Sequence, residues 1–146
     1  MTEEPALALS AAEVEAVIRG NLPSAGGTAF AVEEVRPGYA RIRLAYNKWM
    51  LRPGDLVSGP ALFTAADAAM YALVLAHLGP VVMAVTANMN LNFLNPAQIG
   101  DVVAECKLLR LGMRLAVMEV SLYTGPDKTL VAHVTGSYAV PRRRSK

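Results

Sequence analysis

Ser58-Gly59-Pro60-Ala61-Leu62-Phe63-Thr64-Ala65-Ala66-Asp67, running on to His77-Leu78-Gly79, is the stretch whose reading decides the fold. It reads as one long helix. Pro60 suits a first turn, where its missing N–H has no intrahelical acceptor in any case. Ser58 or Gly59 can cap the start, and Gly79-Pro80 stops the end. Between those signals nearly every residue is apolar, and a helix apolar all round is buried on most sides. Ala61, Ala65, Ala68 or Ala69, Ala72 and Ala76 recur at helical spacing, so another element can approach that stripe closely. Asp67 sits in the middle as the only formally charged residue between positions 56 and 100. A carboxylate in such a setting is costly unless it is paired, hydrogen-bonded or used.

The rest of the composition agrees with a globular domain built around that helix. The chain of 146 residues is long enough for one core. Its 53% hydrophobic and 18% charged residues leave more apolar surface than an average domain buries alone, which suggests a subunit interface. A net charge of +2 gives no argument for nucleic acid. The cluster Arg142-Arg143-Arg144 with Lys146 reads as a solvated C-terminal tail. Cys106 is alone, which excludes an intrachain disulfide and favours a cytoplasmic setting. Glu3, Glu4 and Pro5 do not fit the basic start of a signal peptide. The apolar run approaches the length of a membrane span, but Asp67 interrupts it and no basic flank adjoins it, so no membrane is expected.

Outward from the helix, the pattern is mostly strand. Ser10 with Glu13 forms a capping box opening a short helix to about Arg19, with Val14, Val17 and Ile18 on its apolar face. Residues 28–35 and 40–45 read as two strands about a turn at Pro37-Gly38. Ile42 and Leu44 alternate with Arg41 and Arg43 in the second. Residues 46–57 form a long connection carrying Trp49, Met50, Leu51, Arg52 and Asp55. Residues 81–94 read as one alternating strand. Val85, Ala87, Met89, Leu91 and Phe93 point one way and Thr86, Asn88, Asn90 and Asn92 the other, with the apolar side toward the helix. Three further strands, at residues 102–111, 114–124 and 129–140, follow as a hairpin-linked meander. The class is α+β: a long central helix wrapped by a curled antiparallel sheet. An extension over residues 1–27 precedes the domain at 28–140, and a basic tail at 141–146 follows.

Little chemistry other than that of Asp67 is available. His77 and His133 are the only histidines, without Cys or carboxylate at ligand spacing, so no metal and no cofactor are expected. There is no Gly-rich phosphate loop and no G-x-S-x-G elbow. His133 reads as a surface residue and Cys106 as core. Asp67 in an apolar setting can serve as base or nucleophile. The helix start two turns earlier offers free N–H groups, that of Gly59 among them, to polarise a carbonyl. Thr64, three residues before Asp67, shares its face and can orient the carboxylate or a water. The alternative is an Asp tied into backbone hydrogen bonds or paired with an arginine.

The run from Ser58 to Asp67, followed by Asn90-Leu91-Asn92-Phe93-Leu94-Asn95-Pro96-Ala97 and Gly100-Asp101, resembles the hotdog-fold thioesterases of the phenylacetate-pathway (PaaI-like) group. The resemblance covers residues 28–140. It implies a hotdog fold, hydrolysis of acyl- or aryl-CoA thioesters, and a homodimer or homotetramer whose active sites are shared between copies. The family's helix carboxylate falls on Asp67, its carbonyl-polarising glycine on Gly59, and a strand hydroxyl near the attacking water on Thr86. On the alternation above, Thr86 points away from its own helix, so it would meet a site only at an interface. Where the family reads His-Gly-Gly, this chain has Ser58-Gly59-Pro60; where it has an asparagine six residues before that histidine, this chain has Arg52. Arg52 is then either a substrate contact or a salt-bridge partner for Asp67. Arg110 and Arg114 flank a hairpin resembling the family's turn at the coenzyme A entrance, where they would meet nucleotide phosphates. Trp49, Met50, Leu51 and Tyr71 are candidates for an acyl pocket.

The expected function is therefore an acyl-CoA thioesterase, with coenzyme A as part of the substrate. The alternative is a non-catalytic acyl-CoA binding or sensing protein on the same fold. A hotdog dehydratase, which generally relies on a histidine, and a purely structural assembly domain complete the set.

Overall fold

The computed structural model of the chain describes residues 6–21 and 30–141. The first two positions of the strand expected at 28, most of the loop before it and the basic cluster at 142–146 lie outside the described residues.

Helix α1 (Ala11–Asn21) opens with the expected capping box. The Glu13 N–H donates to Ser10 Oγ at 3.2 Å and the Ser10 N–H donates to Glu13 Oε1 at 3.0 Å. Strands β1 (Phe30–Arg36) and β2 (Tyr39–Leu44) form a hairpin with Ile42 and Leu44 buried and Arg41 and Arg43 on the wet face. The connection after β2 is more ordered than its sequence suggests. A short 3₁₀ turn at Lys48–Met50 leads into a two-stranded ribbon, β3 (Leu51–Arg52) with β4 (Leu56–Val57). Met50, wholly buried, anchors it.

Helix α2 (Gly59–Leu78) follows the sequence reading closely. Ser58 caps it by accepting from the Ala61 N–H, and Gly79, at φ 89°, closes it through a bond from its N–H to Leu75 O. Of the alanine stripe, Ala61, Ala65, Ala69, Ala72 and Ala76 are wholly buried. Such small side chains let α2 lie close against β2 and β6. By length and apolar composition α2 passes for a membrane span, but most of it is buried inside this fold. His77 ties its C-terminal turn to the β1–β2 hairpin. Its Nε2 accepts from the Gly38 N–H at 3.0 Å, which leaves the proton on Nδ1 to donate to Leu73 O at 2.9 Å.

Strands β5 (Val85–Phe93), β6 (Val102–Leu111), β7 (Leu115–Thr124) and β8 (Thr129–Ala139) complete a six-stranded antiparallel sheet in the order β1-β2-β6-β7-β8-β5. The meander β6-β7-β8 is as expected. Ala104, Cys106, Ala116, Met118, Val120 and Leu122 all face inward with no exposed surface. Burial pushes the Cys106 thiol far above its ordinary pKa, so it is an inert core residue. One long helix wrapped by this sheet is the hotdog arrangement.

The strand after the helix departs from its expected reading. Residues 81–84 are a turn, and pairing begins only at Val85. A bulge between Thr86 and Asn88 inserts Ala87 as an extra residue opposite β8. One inserted residue reverses every side chain on one side of it. Met89 and Leu91 therefore pack on the core as expected, whereas before the bulge Thr86, not Val85, turns toward α2.

Gly136 holds that junction together. A Cβ there would lie 2.7 Å from Asn88 O and 2.8 Å from Met70 Cε. The first contact is with backbone, which cannot move aside as a side chain can. We expect Gly136→Ala to cost about 1–3 kcal/mol through overpacking, read as a lowered urea midpoint; wild-type stability in that variant would contradict the close approach.

Candidate active site

The reversal at the bulge places two hydroxyls on one carboxylate oxygen. Thr86 Oγ1 donates to Asp67 Oδ1 at 2.6 Å, and the Tyr138 hydroxyl donates to the same oxygen at 2.7 Å. The Tyr138 hydroxyl also reaches the Asp67 carbonyl at 3.2 Å. Thr86 and Tyr138 are direct partners across β5 and β8, so both donors come from one row of the sheet. Oδ2 takes no donor among the described residues, and Asp67 lines a cleft of about 560 Å³.

Tyr138 is suited to remain a donor. Burial, then the negative charge of Asp67, pushes its phenol far above the usual value, so it keeps its proton. Its ring stacks on Tyr71 with centroids 5.8 Å apart and planes 18° from parallel. The Tyr71 hydroxyl in turn donates to Val82 O at 2.9 Å, pinning the 81–84 turn to the rim of the cleft.

A second cleft surrounds the first turn of α2, where Gly59, Leu62, Phe93, Asn95 and Arg52 meet. The N–H of Gly59 belongs to the first helical turn and has no intrahelical acceptor. Eight residues at about 1.5 Å rise put Gly59 and Asp67 about 12 Å apart along the helix. The two clefts share no lining residue.

This fold is matched by known proteins. The model of the thioesterase superfamily matches residues 54–131, more than half of the chain. The chain belongs to the thioesterase superfamily. An esterase candidate of Saccharolobus solfataricus is 33% identical over 75% of this chain and 72% of its own length. The solved structure of a candidate thioesterase from Silicibacter sp. TM1040 superposes with a TM-score of 0.84 at 35% identity, covering 95% of this chain and 96% of that one. A candidate thioesterase of Ralstonia eutropha, related to phenylacetic acid degradation, gives a TM-score of 0.75 at 27% identity over 88% and 99% of the two chains.

On this superfamily member, some of the expected site residues gather and others separate. Asp67 and Thr86 meet directly within one chain, so Thr86 needs no neighbouring copy to reach a carboxylate. Asp67 is half-buried at a cleft wall, not enclosed as its apolar neighbours suggest. Thr64 lines the same cleft, but its hydroxyl donates back to Pro60 O at 3.0 Å and does not orient Asp67. Arg52 is exposed in the other cleft and is not the partner of Asp67. Ser58 is occupied in capping α2. Arg110 and Arg114 are exposed at the β6–β7 hairpin. The pairing of Ala116 with Tyr138 puts that hairpin at the same end of the sheet as Asp67. Of the four acyl-pocket candidates only Tyr71 lines the Asp67 cleft. No group of His, Cys, Asp and Glu among the described residues could hold a metal.

Tyr138, on the last strand, is a site residue that the sequence alone does not single out. The available signal was its hydroxyl: a tyrosine facing the core needs a polar partner there, and Asp67 is the one charged group the central helix offers. Tyr138→Phe keeps the ring stack but removes one donor from the carboxylate. A hydrogen bond to a charged group contributes about 1.5–3 kcal/mol. We expect a loss of stability of that order in urea denaturation, and a double-mutant cycle with Asp67→Ala, which removes the acceptor, showing coupling of at least about 1 kcal/mol; additive effects would mean the phenol does not serve the carboxylate.

Proposed function

We propose that this protein hydrolyses acyl-CoA thioesters, with Asp67 as the group that activates water. The observation that carries the reading is a carboxylate on the wall of a mostly apolar cleft, with one oxygen held by two hydroxyls and the other without a donor among the described residues. Superfamily membership supports thioester chemistry in general, and the geometry supports the assignment of roles.

Gly59 and Asp67 of a single chain are too far apart to act on one carbonyl. We therefore assign the complete site to two copies, each supplying the helix start to the other's carboxylate. The Gly59 N–H polarises the thioester carbonyl. Asp67 Oδ2 takes a proton from water as the oxygen attacks the carbonyl carbon, and the tetrahedral oxyanion is held by that N–H. The C–S bond then breaks, and the proton on Asp67 passes to the departing sulfur, giving a free thiol, a carboxylic acid and the original carboxylate. One such N–H donor typically stabilises the transition state by about 2.7–4 kcal/mol. Thr86 and Tyr138 fix the direction of attack by immobilising Oδ1.

A dehydratase reading finds no support in the histidines. His77 is buried with both ring nitrogens engaged, and His133 lies 3.3 Å from Glu119, lining neither cleft. Free-thiol release from a panel of acetyl-, medium-chain, long-chain and aryl-CoAs tests the proposal. Asp67→Asn preserves an acceptor for both hydroxyls, so it should fold normally by circular dichroism yet lose at least about 10²-fold in turnover. Hydrolysis undiminished in that variant would exclude Asp67. No hydrolysis by the wild type, with saturable binding of acyl-CoA, would instead favour the binding-protein alternative.

A further inference from the structure

The cleft at Asp67 has two chemically different ends. Phe63, Thr64, Val85 and Thr86 stand at its mouth and are exposed. Ile18, Phe30, Ile42 and Leu44 stand at its inner end, only 3%, 5%, 0% and 2% exposed. Its polar side chains all cluster at the carboxylate. Thr64 and Tyr71 lie one helical turn either side of Asp67, while Thr86 and Tyr138 bond to it. Among the described residues Asp67 is the only charged one lining the cleft, and beyond that cluster the described lining side chains are hydrocarbon.

The inner end is not made by the sheet and central helix alone. Ile18 comes from α1, which packs against both β1 and α2. Among the described residues it is the one lining residue supplied from outside the β-sheet, α2 and the turn that follows it. A volume of about 560 Å³ is well above the cavity of about 150 Å³ that accepts a benzene ring. A hydroxyl or carboxylate carried to the inner end would meet no polar side chain among the described lining residues, which makes its burial costly.

We propose that this cleft receives the acyl group, that the group is an uncharged hydrocarbon, and that Ile18 of α1 is the stop that measures its length. The inference deepens the hydrolase reading above and rests on it for the thioester. The carbonyl remains at Asp67 and the chain extends inward until it meets α1. A longer group is excluded by contact with Ile18, and a shorter one leaves apolar wall uncovered.

The test compares straight-chain acyl-CoAs from acetyl to palmitoyl in the wild type, Ile18→Ala, Ile18→Phe and Ala68→Leu, each checked by circular dichroism. Ala68 lines the cleft on α2, and leucine there suits a helix, so this variant reports even if the α1 changes unfold the protein. Binding of hydrolysis-inert acyl-CoA thioethers is measured alongside by calorimetry. Ile18→Ala should raise kcat/KM for chains just beyond the wild-type optimum by about tenfold, since each added methylene in an apolar pocket changes selection on that scale. Ile18→Phe and Ala68→Leu should shift the optimum to shorter chains, and a terminal carboxylate on the acyl group should weaken binding by at least about tenfold. A length profile unchanged in the folded variants, or a preference for the terminal carboxylate, would overturn the proposal even with hydrolysis intact. Absent hydrolysis with thioether binding that still follows the Ile18 and Ala68 changes would uphold the cleft and sink the hydrolase reading instead.

Discussion

An anion on an apolar helix is the constraint around which this structure is arranged. Taking an ion wholly out of water costs several kcal/mol, and half-buried Asp67 bears part of that. Two hydrogen bonds to a charged oxygen, at about 1.5–3 kcal/mol each, are of the size needed to offset it. Asp67 obtains them from Thr86 and Tyr138, partners on adjacent strands, and its half-buried position leaves the second oxygen hydrated or available. Both donors depend on local backbone. Thr86 faces the helix only because Ala87 is bulged, and the bulge sits against Gly136, where no side chain could be accommodated.

The same economy separates the two parts of the proposed reaction. A helix presents free N–H groups only at its start, whereas donors from β5 and β8 reach it two turns later. Electrophilic and basic groups consequently occupy opposite stretches of one helix, in clefts that do not share a residue. A second copy related so that the helix start of one faces the carboxylate of the other would unite them. The surplus of apolar residues in the sequence, and exposed side chains such as Val85 and Phe93 along the edge strand β5, are consistent with that requirement.

How much of this could be read in the sequence follows from the range of each interaction. The limits of α2 were legible because Ser58, Pro60 and Gly79 act within a turn of themselves. The meander was legible because period-two alternation survives unbroken from Val102 to Cys106 and from Ala116 to Leu122. Asp67 stood out because the cost of an anion among apolar residues is visible without a fold. The orientation of Thr86 was not legible: the bulge is set by contact with Gly136, far away along the chain, and a single inserted residue inverts the pattern. Tyr138 was hidden for a similar reason, its partner lying on an element it meets only after folding. That Thr64 does not bond Asp67, and that Arg52 does not pair with it, was not legible because proximity in sequence says nothing about a competing partner. Thr64 has Pro60 O within reach on its own helix, and Arg52 is carried to the other cleft by the β3–β4 ribbon.

The central claim, that the free oxygen of Asp67 addresses a thioester carbonyl polarised by a second copy's helix start, is tested most directly by a crystal structure of Asp67→Asn with a bound acyl-CoA. The expected result is a carbonyl oxygen within hydrogen-bond distance of one copy's Gly59 N–H. The thioester carbon, or a water against it, should lie about 3–3.5 Å from the other copy's position 67, with the acyl group running inward toward Ile18. A thioester bound away from position 67, or a site completed by one copy alone, would contradict it.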